Sequence, residues 1–225
     1  MTSLLSMNSG NKTFIFYITK NGLNLAERIK TLYADAQIFR FKSELVTDVW
    51  EESKNLIFIM ATGIVVRTIS PLIRDKRTDP AVIVLDEKGK YAISLLSGHL
   101  GGANYLAKEI SEFLKGQAVI TTASDINYLP SLDIWAKEKG LIIENWADLP
   151  KISTIFINKG ILNVFIDKNL EIELPDGLVQ TYDLGVADIL ITNKLIDNTK
   201  IRYPYLLLRP KNLIIGLGCN KGTSA

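Results

Sequence analysis

Residues 91–107, YAISLLSGHLGGANYLA, decide how the rest of the chain is read. Residues 91–96 are β-prone and follow Gly89, while residues 103–114 set Leu106, Ile110 and Leu114 on one helical face. The pattern predicts a strand, a glycine-rich turn and then a helix. Within the turn stands the single histidine of the chain, His99, between Gly98 and the pair Gly101 and Gly102, with Ser97 and Asn104 close by. Glycines at such a place let backbone come near a ligand, and the first N–H groups of the helix would favour an anion.

Working outward, the 225 residues suit one large or two modest domains. Hydrophobic residues at 47% and charged residues at 22% fit a globular protein and exclude a disordered one. A formal net charge of +2, with no dense Lys/Arg run and no aromatic platform, gives no reason to expect nucleic acid as a partner. The first eleven residues carry no basic side chain and so lack the start of a secretory signal, which makes the cytoplasm the expected location. Uncharged runs such as residues 55–66 fall short of the ~20 apolar residues that cross a bilayer, so no membrane span is expected. One cysteine, Cys219, and one histidine cannot form a disulfide or a zinc ligand set, and no metal site is expected.

In chain order, residues 13–18 read as a strand, 22–32 as a helix and 37–41 as a strand, the opening of a βαβ layer. Residues 43–54 have helical spacing and lead into the buried-strand run 55–60. The following turn, with Thr62 and Gly63, should start another helix and forms a second candidate anion site. That helix carries Arg67, and a charged loop follows, with Arg74, Asp75, Lys76 and Arg77 before Asp79 and Pro80. Residues 81–86 are a strand ending in Asp86, close enough to the strand at 91–96 to suggest a hairpin. A strand at 118–121 delivers Thr122, Ser124 and Asp125 to its carboxyl end, where ligands bind in open α/β sheets.

Residues 132–139 suggest a helix, and the texture then changes, which places a soft domain boundary near Pro150. Residues 151–158 read as helix or strand, with strands expected at 161–166, 188–192 and 205–209 and a turn at 175–177. Residues 212–216 form a fresh apolar strand followed by a glycine-rich turn and no helix. The expected fold is therefore α/β: a three-layer domain with a mainly parallel sheet over 1–148, a smaller α/β middle domain over 149–211, and at 212–225 the first strand and turn of an incomplete third domain.

Residues 61–67, 79–82 with Asp86, 94–104, 121–125 and 216–223 together resemble the CbiG family, the cobalt-precorrin 5A hydrolases of the anaerobic cobalamin pathway. The resemblance is dense over 55–125 and returns at 216–223, where the third domain of that family would open. It implies a hydrolase that opens a lactone on a cobalt-containing, ring-contracted tetrapyrrole and releases a two-carbon unit as acetaldehyde. Cobalt is then part of the substrate, and no cofactor is expected. Such a substrate is a broad disc rimmed with carboxylates, suited to helix N-termini and to Arg67, Arg74, Lys76 and Arg77. Other corrin-pathway enzymes and a second copy of the chain are open as partners.

Lactone hydrolysis needs a general base, and imidazole is the side chain whose ordinary pKa, about 6.5, suits that task. His99 is accordingly the expected base, against the alternative of an idle histidine packed at a helix start. Backbone N–H groups around Gly101 and Gly102, or the Asn104 amide, would stabilise the oxyanion. Either Asp86 or Asp125 would orient the imidazole. Gly63, Ser97, Gly98, Thr122 and Ser124 complete the expected substrate-binding set. Ser97 reads better as a turn residue than as a nucleophile, since its surroundings are not a Gly-x-Ser-x-Gly elbow. The charged loop is equally readable as a solvated face. The rival to the enzyme is a non-catalytic module that holds a corrinoid or another anionic ligand; a nucleotide-binding protein is disfavoured because no phosphate-loop motif is present.

Overall fold

The computed structural model describes residues 12–196 and 201–211, and these form two compact units that divide between Ile126 and Asn127. In the first unit, β1 (Lys12–Tyr17), β3 (Ser53–Ile59) and β4 (Ala81–Leu85) supply the central strands of a six-stranded sheet. Their side chains alternate between two cores. Ile15, Ile57 and Ile83 face one side, and Phe14, Phe16, Leu56, Phe58, Val82 and Val84 face the other. Burial on both faces is what turns these strands into continuous apolar runs instead of alternating ones. Helices α1 (Lys20–Lys30) and α4 (Ala103–Leu114) cover the isoleucine side, and α2 (Ser43–Val49) and α3 (Thr62–Ile69) cover the phenylalanine side. The result is the expected three-layer α/β arrangement.

Adding β2 (Gln37–Arg40), β5 (Tyr91–Leu96) and β6 (Gln117–Val119), the strand order is β2-β1-β3-β4-β5-β6. The first four of these strands run parallel, β5 is antiparallel to β4, and β6 is parallel to β5. The hairpin between β4 and β5 thus reverses the sheet. Its consequence for function is positional: the carboxyl ends of β5 and β6 lie at the edge where β1, β3 and β4 begin, with Leu96 paired to Val82. Residues 43–54, expected as one helix, are helical only to Val49; a 3-10 turn at Trp50–Glu52 follows and β3 already begins at Ser53.

The second unit has a five-stranded sheet of β7 (Leu141–Ile143), β8 (Leu162–Ile166), β9 (Leu178–Thr181), β10 (Ile189–Ile191) and β11 (Leu206–Pro210), in the order β7-β11-β10-β8-β9. Only the edge strand β7 is antiparallel. Helices α6 (Leu132–Glu138) and α7 (Leu149–Lys159) pack on one face. The structure divides earlier than the boundary expected near Pro150. Leu132, Trp135, Leu141 and Ile143 share one core with Ile152, Phe156 and Val164, so residues 127–149 belong to the second unit. Pro150 is no linker residue; it stands in the first turn of α7, where its fixed φ and missing N–H cost nothing. The strand and turn expected over 212–223, with Cys219, lie outside the described residues.

Candidate active site

The site is built where β5 ends. Ser97 leaves the strand with φ of 56°, Gly102 has φ of 89°, and between them the chain turns back to start α4. The turn ties itself: Gly102 N–H donates to His99 O at 2.9 Å, Ala103 N–H to Ser97 O at 3.1 Å and Asn104 N–H to Gly98 O at 2.9 Å. These bonds correct one expectation. The first N–H groups of α4 are spent on the turn and do not await an anion. Gly101 N–H, like Gly98 N–H and Leu100 N–H, makes no hydrogen bond among the described residues. A Cβ at Gly101 would collide with Ser97 Cβ, so only glycine permits this packing.

Across from the turn, β6 leads through Thr122 into the short helix α5 (Ala123–Ile126), which carries Ser124 and Asp125. His99 Nε2 lies 3.0 Å from Asp125 Oδ2 and 3.1 Å from Ser124 Oγ. An ionised carboxylate can only accept, which assigns the ring proton to Nε2. Asp125 therefore orients His99. Burial pulls the Asp125 carboxyl upward, but hydrogen bonds and charge from His99 and Lys108 prevail and hold it below the ordinary aspartate value. Both side chains are about four-fifths covered, at 23% and 22% exposed, while Lys108 Nζ, 3.3 Å from Asp125 Oδ1, is largely open to solvent.

Asn104 is buried beneath this pair. Its amide donates to Asp125 Oδ2 at 2.9 Å and to Thr122 Oγ1 at 3.1 Å, and its oxygen accepts from Ser94 Oγ at 2.7 Å. With both N–H bonds committed, Asn104 is not the oxyanion donor that the sequence suggested. Ser97 is also corrected: its hydroxyl is buried with no hydrogen-bond partner and so is not exposed to receive a substrate.

The expected site residues thus fall into two groups. His99, Asn104, Asp125, Thr122, Ser124 and the turn from Ser97 to Gly102 come together. The loop with Lys76 and Arg77 enters β4 at the same edge, but the Arg77 guanidinium is engaged by Asp75, whose carboxyl it lowers to about 2. The loop is folded by buried Asp79, which accepts from Arg74 N–H with both oxygens. Asp86, Gly63 and Arg67 stand at the opposite edge, roughly 17 Å away by the length of β5. There Asp86 accepts from Lys88 N–H and Tyr91 N–H and shapes the hairpin, so it does not orient His99. Arg67 folds back against Gly63 at the start of α3.

Sequence reasoning missed Ser94 and Lys108. Lys108 was findable: it stands four residues after Asn104 on a predicted helix, and such pairs share a face. Ser94 carries no such signal, since its partner Asn104 is met only when the helix folds back on the strand. Two hollows of about 510 Å³ each flank the sheet. One adjoins the turn and is lined by Gly101, Gly102, Tyr105, Tyr33, Glu109 and Asn55. The other, mostly apolar, lies at the Asp86 edge among Ile59, Met60, Val84, Ile93 and Val119, away from the histidine. Among the described residues no group of three His, Cys, Asp or Glu side chains is placed to hold a metal, and no helix is long and apolar enough to cross a membrane.

Comparison with known proteins places this geometry in a family. Residues 44–125 match the cobalamin synthesis G N-terminal family and residues 130–210 the cobalamin biosynthesis central region. The chain is 32% identical to a cobalt-precorrin-5A hydrolase of Priestia megaterium, over 92% of this chain and 65% of that protein. It is 36% identical to a cobalt-precorrin-5A hydrolase of Salmonella typhimurium, over 75% of this chain and 50% of that protein. A solved structure described as a cobalamin biosynthesis protein G homolog from Sulfolobus solfataricus shares the fold, with TM-score 0.52 and 23% identity over 88% of this chain and 60% of its own. The chain spans only half to two-thirds of the length of these relatives, yet the two matched regions cover most of it and abut at the division between its two units, and on that ground it belongs to the cobalamin biosynthesis protein G family.

Proposed function

We propose that this chain contributes to the hydrolysis of cobalt-precorrin 5A in cobalamin biosynthesis, in the cytoplasm, and that the lactone is opened at the His99 turn. The observation that carries the reading is the His99–Asp125 pair, a base oriented by a carboxylate beside a glycine turn. His99 takes a proton from water as the hydroxide adds to the lactone carbonyl carbon. The oxyanion is then met by Gly101 N–H. Collapse of the intermediate breaks the ring C–O bond, and the imidazolium returns its proton to the departing alkoxide oxygen. When that oxygen later becomes the carbonyl of acetaldehyde, the adjoining carbon–carbon bond breaks and its electron pair stays on the macrocycle. Lys108, cationic and exposed beside the pair, suits a carboxylate arm of such a substrate. The cobalt ion arrives and leaves within the substrate.

The test follows acetaldehyde and macrocycle absorbance with cobalt-precorrin 5A, in this chain with His99 or with His99→Ala. The expected result is acetaldehyde from the His99 form and a loss of about 10²-fold or more with alanine. An absorbance change on binding, without acetaldehyde from any form, would instead establish the non-catalytic corrinoid-binding module.

A further inference from the structure

We propose that the apolar hollow at the Asp86 edge is a second ligand site of the first unit, apart from the His99 turn, and that it holds a tetrapyrrole ring rimmed with carboxylates. The choice of ring rests on the function proposed above; the site rests on its own geometry. Its floor is a row of side chains in register: Val84 of β4 pairs with Ile93 of β5, and Ile93 pairs with Val119 of β6. Strands lie about 4.8 Å apart, so the row spans roughly 10 Å of apolar surface. On the isoleucine side of the sheet, α4 covers the same strands through Ala92 and Ala118. On the phenylalanine side the hollow lies over them, and Ile93 and Val119 are partly exposed there. Ile18 and Tyr91, at 39% and 38% exposed, carry the apolar surface outward. The volume of about 510 Å³ falls within the ~300–1,000 Å³ of small-molecule sites.

The charges around the hollow favour an anionic rim. Two carboxylates line it, and both already hold donors: Asp86 accepts from Lys88 N–H and Tyr91 N–H, and Glu87 from Thr19 Oγ1 and Asn21 Nδ2. The cations are unspent. Arg67 reaches back one turn to Gly63, where a Cβ would lie 3.5 Å from its Nη2, beside Thr62 of the hollow's wall. Lys90 Nζ stands 5.0 Å from the ring centroid of Tyr91, itself a wall residue. Among the described residues neither Arg67 nor Lys90 meets a carboxylate. An apolar body laid on the strand row would desolvate its face there and bring its carboxylates to these two cations. Arg67 belongs to the α3 wall and Lys90 to the hairpin wall, an arrangement that suits negative charge spread around a rim and not gathered at one end.

The probe is uroporphyrin, a stable, fluorescent tetrapyrrole with carboxylates around its whole rim. Titrated with the unaltered chain, its fluorescence should change to saturation, with an affinity that falls as salt is added. Arg67→Gln and Lys90→Gln, both at exposed positions, should each weaken binding by about three- to tenfold, and the double variant by about the product of the two. Val119→Glu, which sets a like charge in the floor, should weaken it by about tenfold or more. His99→Ala should leave the affinity within about twofold, since the turn lies at the other edge. No saturable change with the unaltered chain overturns the proposal, as does unchanged affinity in the folded double variant. A loss with His99→Ala as large as that of the double variant would place the ring at the turn and overturn it too. Should Val119→Glu fail to fold, the two surface replacements still decide. Binding that depends on Arg67 and Lys90, in a chain that releases no acetaldehyde from cobalt-precorrin 5A, supports the site and overturns only the hydrolase reading.

Discussion

Ser97 shows how much of this site is geometry and how little is chemistry. It sits in the left-handed region with φ of 56°, and its hydroxyl is buried without a partner. The backbone conformation costs a non-glycine residue about 1–2 kcal/mol, and an unmet buried hydroxyl about 1–3 kcal/mol. Glycine would keep the turn and remove both terms, at an added cost of about 0.5–1 kcal/mol in unfolded-chain entropy. Ser97→Gly is therefore expected to stabilise the protein by about 1–3 kcal/mol, read from the midpoint of urea unfolding. Acetaldehyde release should survive, because what Ser97 supplies is the direction in which the chain leaves β5. A lower midpoint would mean that the hydroxyl has a partner after all. In the sequence alone, the lack of a Gly-x-Ser-x-Gly elbow marks Ser97 as a turn residue, but the burial of its hydroxyl becomes visible only when the turn folds against α4.

At the scale of elements, the strand, turn and helix of residues 91–114 were legible because period-two and period-3.6 patterns meet at a glycine turn. The hairpin of β4 and β5 was legible too, from the short turn between two apolar runs. Its effect on the site was not, since periodicity reports what an element is and not which edge of the sheet its end reaches. Asp86 and Asp125 therefore looked equivalent as partners of His99 until strand direction separated them. The short edge strands β7 and β9 were missed for another reason: three or four residues are too few to show a period.

Helix α4 also makes a contact that no pattern announced. Tyr33, after α1, donates its hydroxyl to Glu109 of α4. Burial, then the hydrogen bond and the neighbouring negative charge, raise the phenol far above the ordinary tyrosine value. Since the folded state favours the protonated phenol, this support is complete below the unfolded value of about 10 and fades as pH rises through the folded one. Spectrophotometric titration of the eight tyrosines should leave one phenol protonated when the exposed ones have ionised. Tyr33→Phe should remove that lagging step and flatten the loss of stability above about pH 10. A lagging phenol that persists in Tyr33→Phe would show that another tyrosine is the protected one.

For the whole molecule, the consequence of two units is that each closes its own hydrophobic core. The histidine turn, Asn104 and Asp125 all belong to the first, whereas the core of the second is centred on β8, β10 and β11. Ile189, fully buried on β10 between Val164 on β8 and Leu206 on β11, tests that separation. Truncating it leaves a cavity that the flanking strands cannot fill, at a cost of about 2–5 kcal/mol. Ile189→Ala should therefore lower an unfolding transition by that amount in calorimetry. The described ends of the second sheet carry ion pairs such as Asp167 with Lys194, whereas the imidazole of His99 pairs with Asp125 of the first unit. An unfolding transition that Ile189→Ala leaves unmoved would mean that β8 and β11 close over the gap and that the second core is not centred on this side chain.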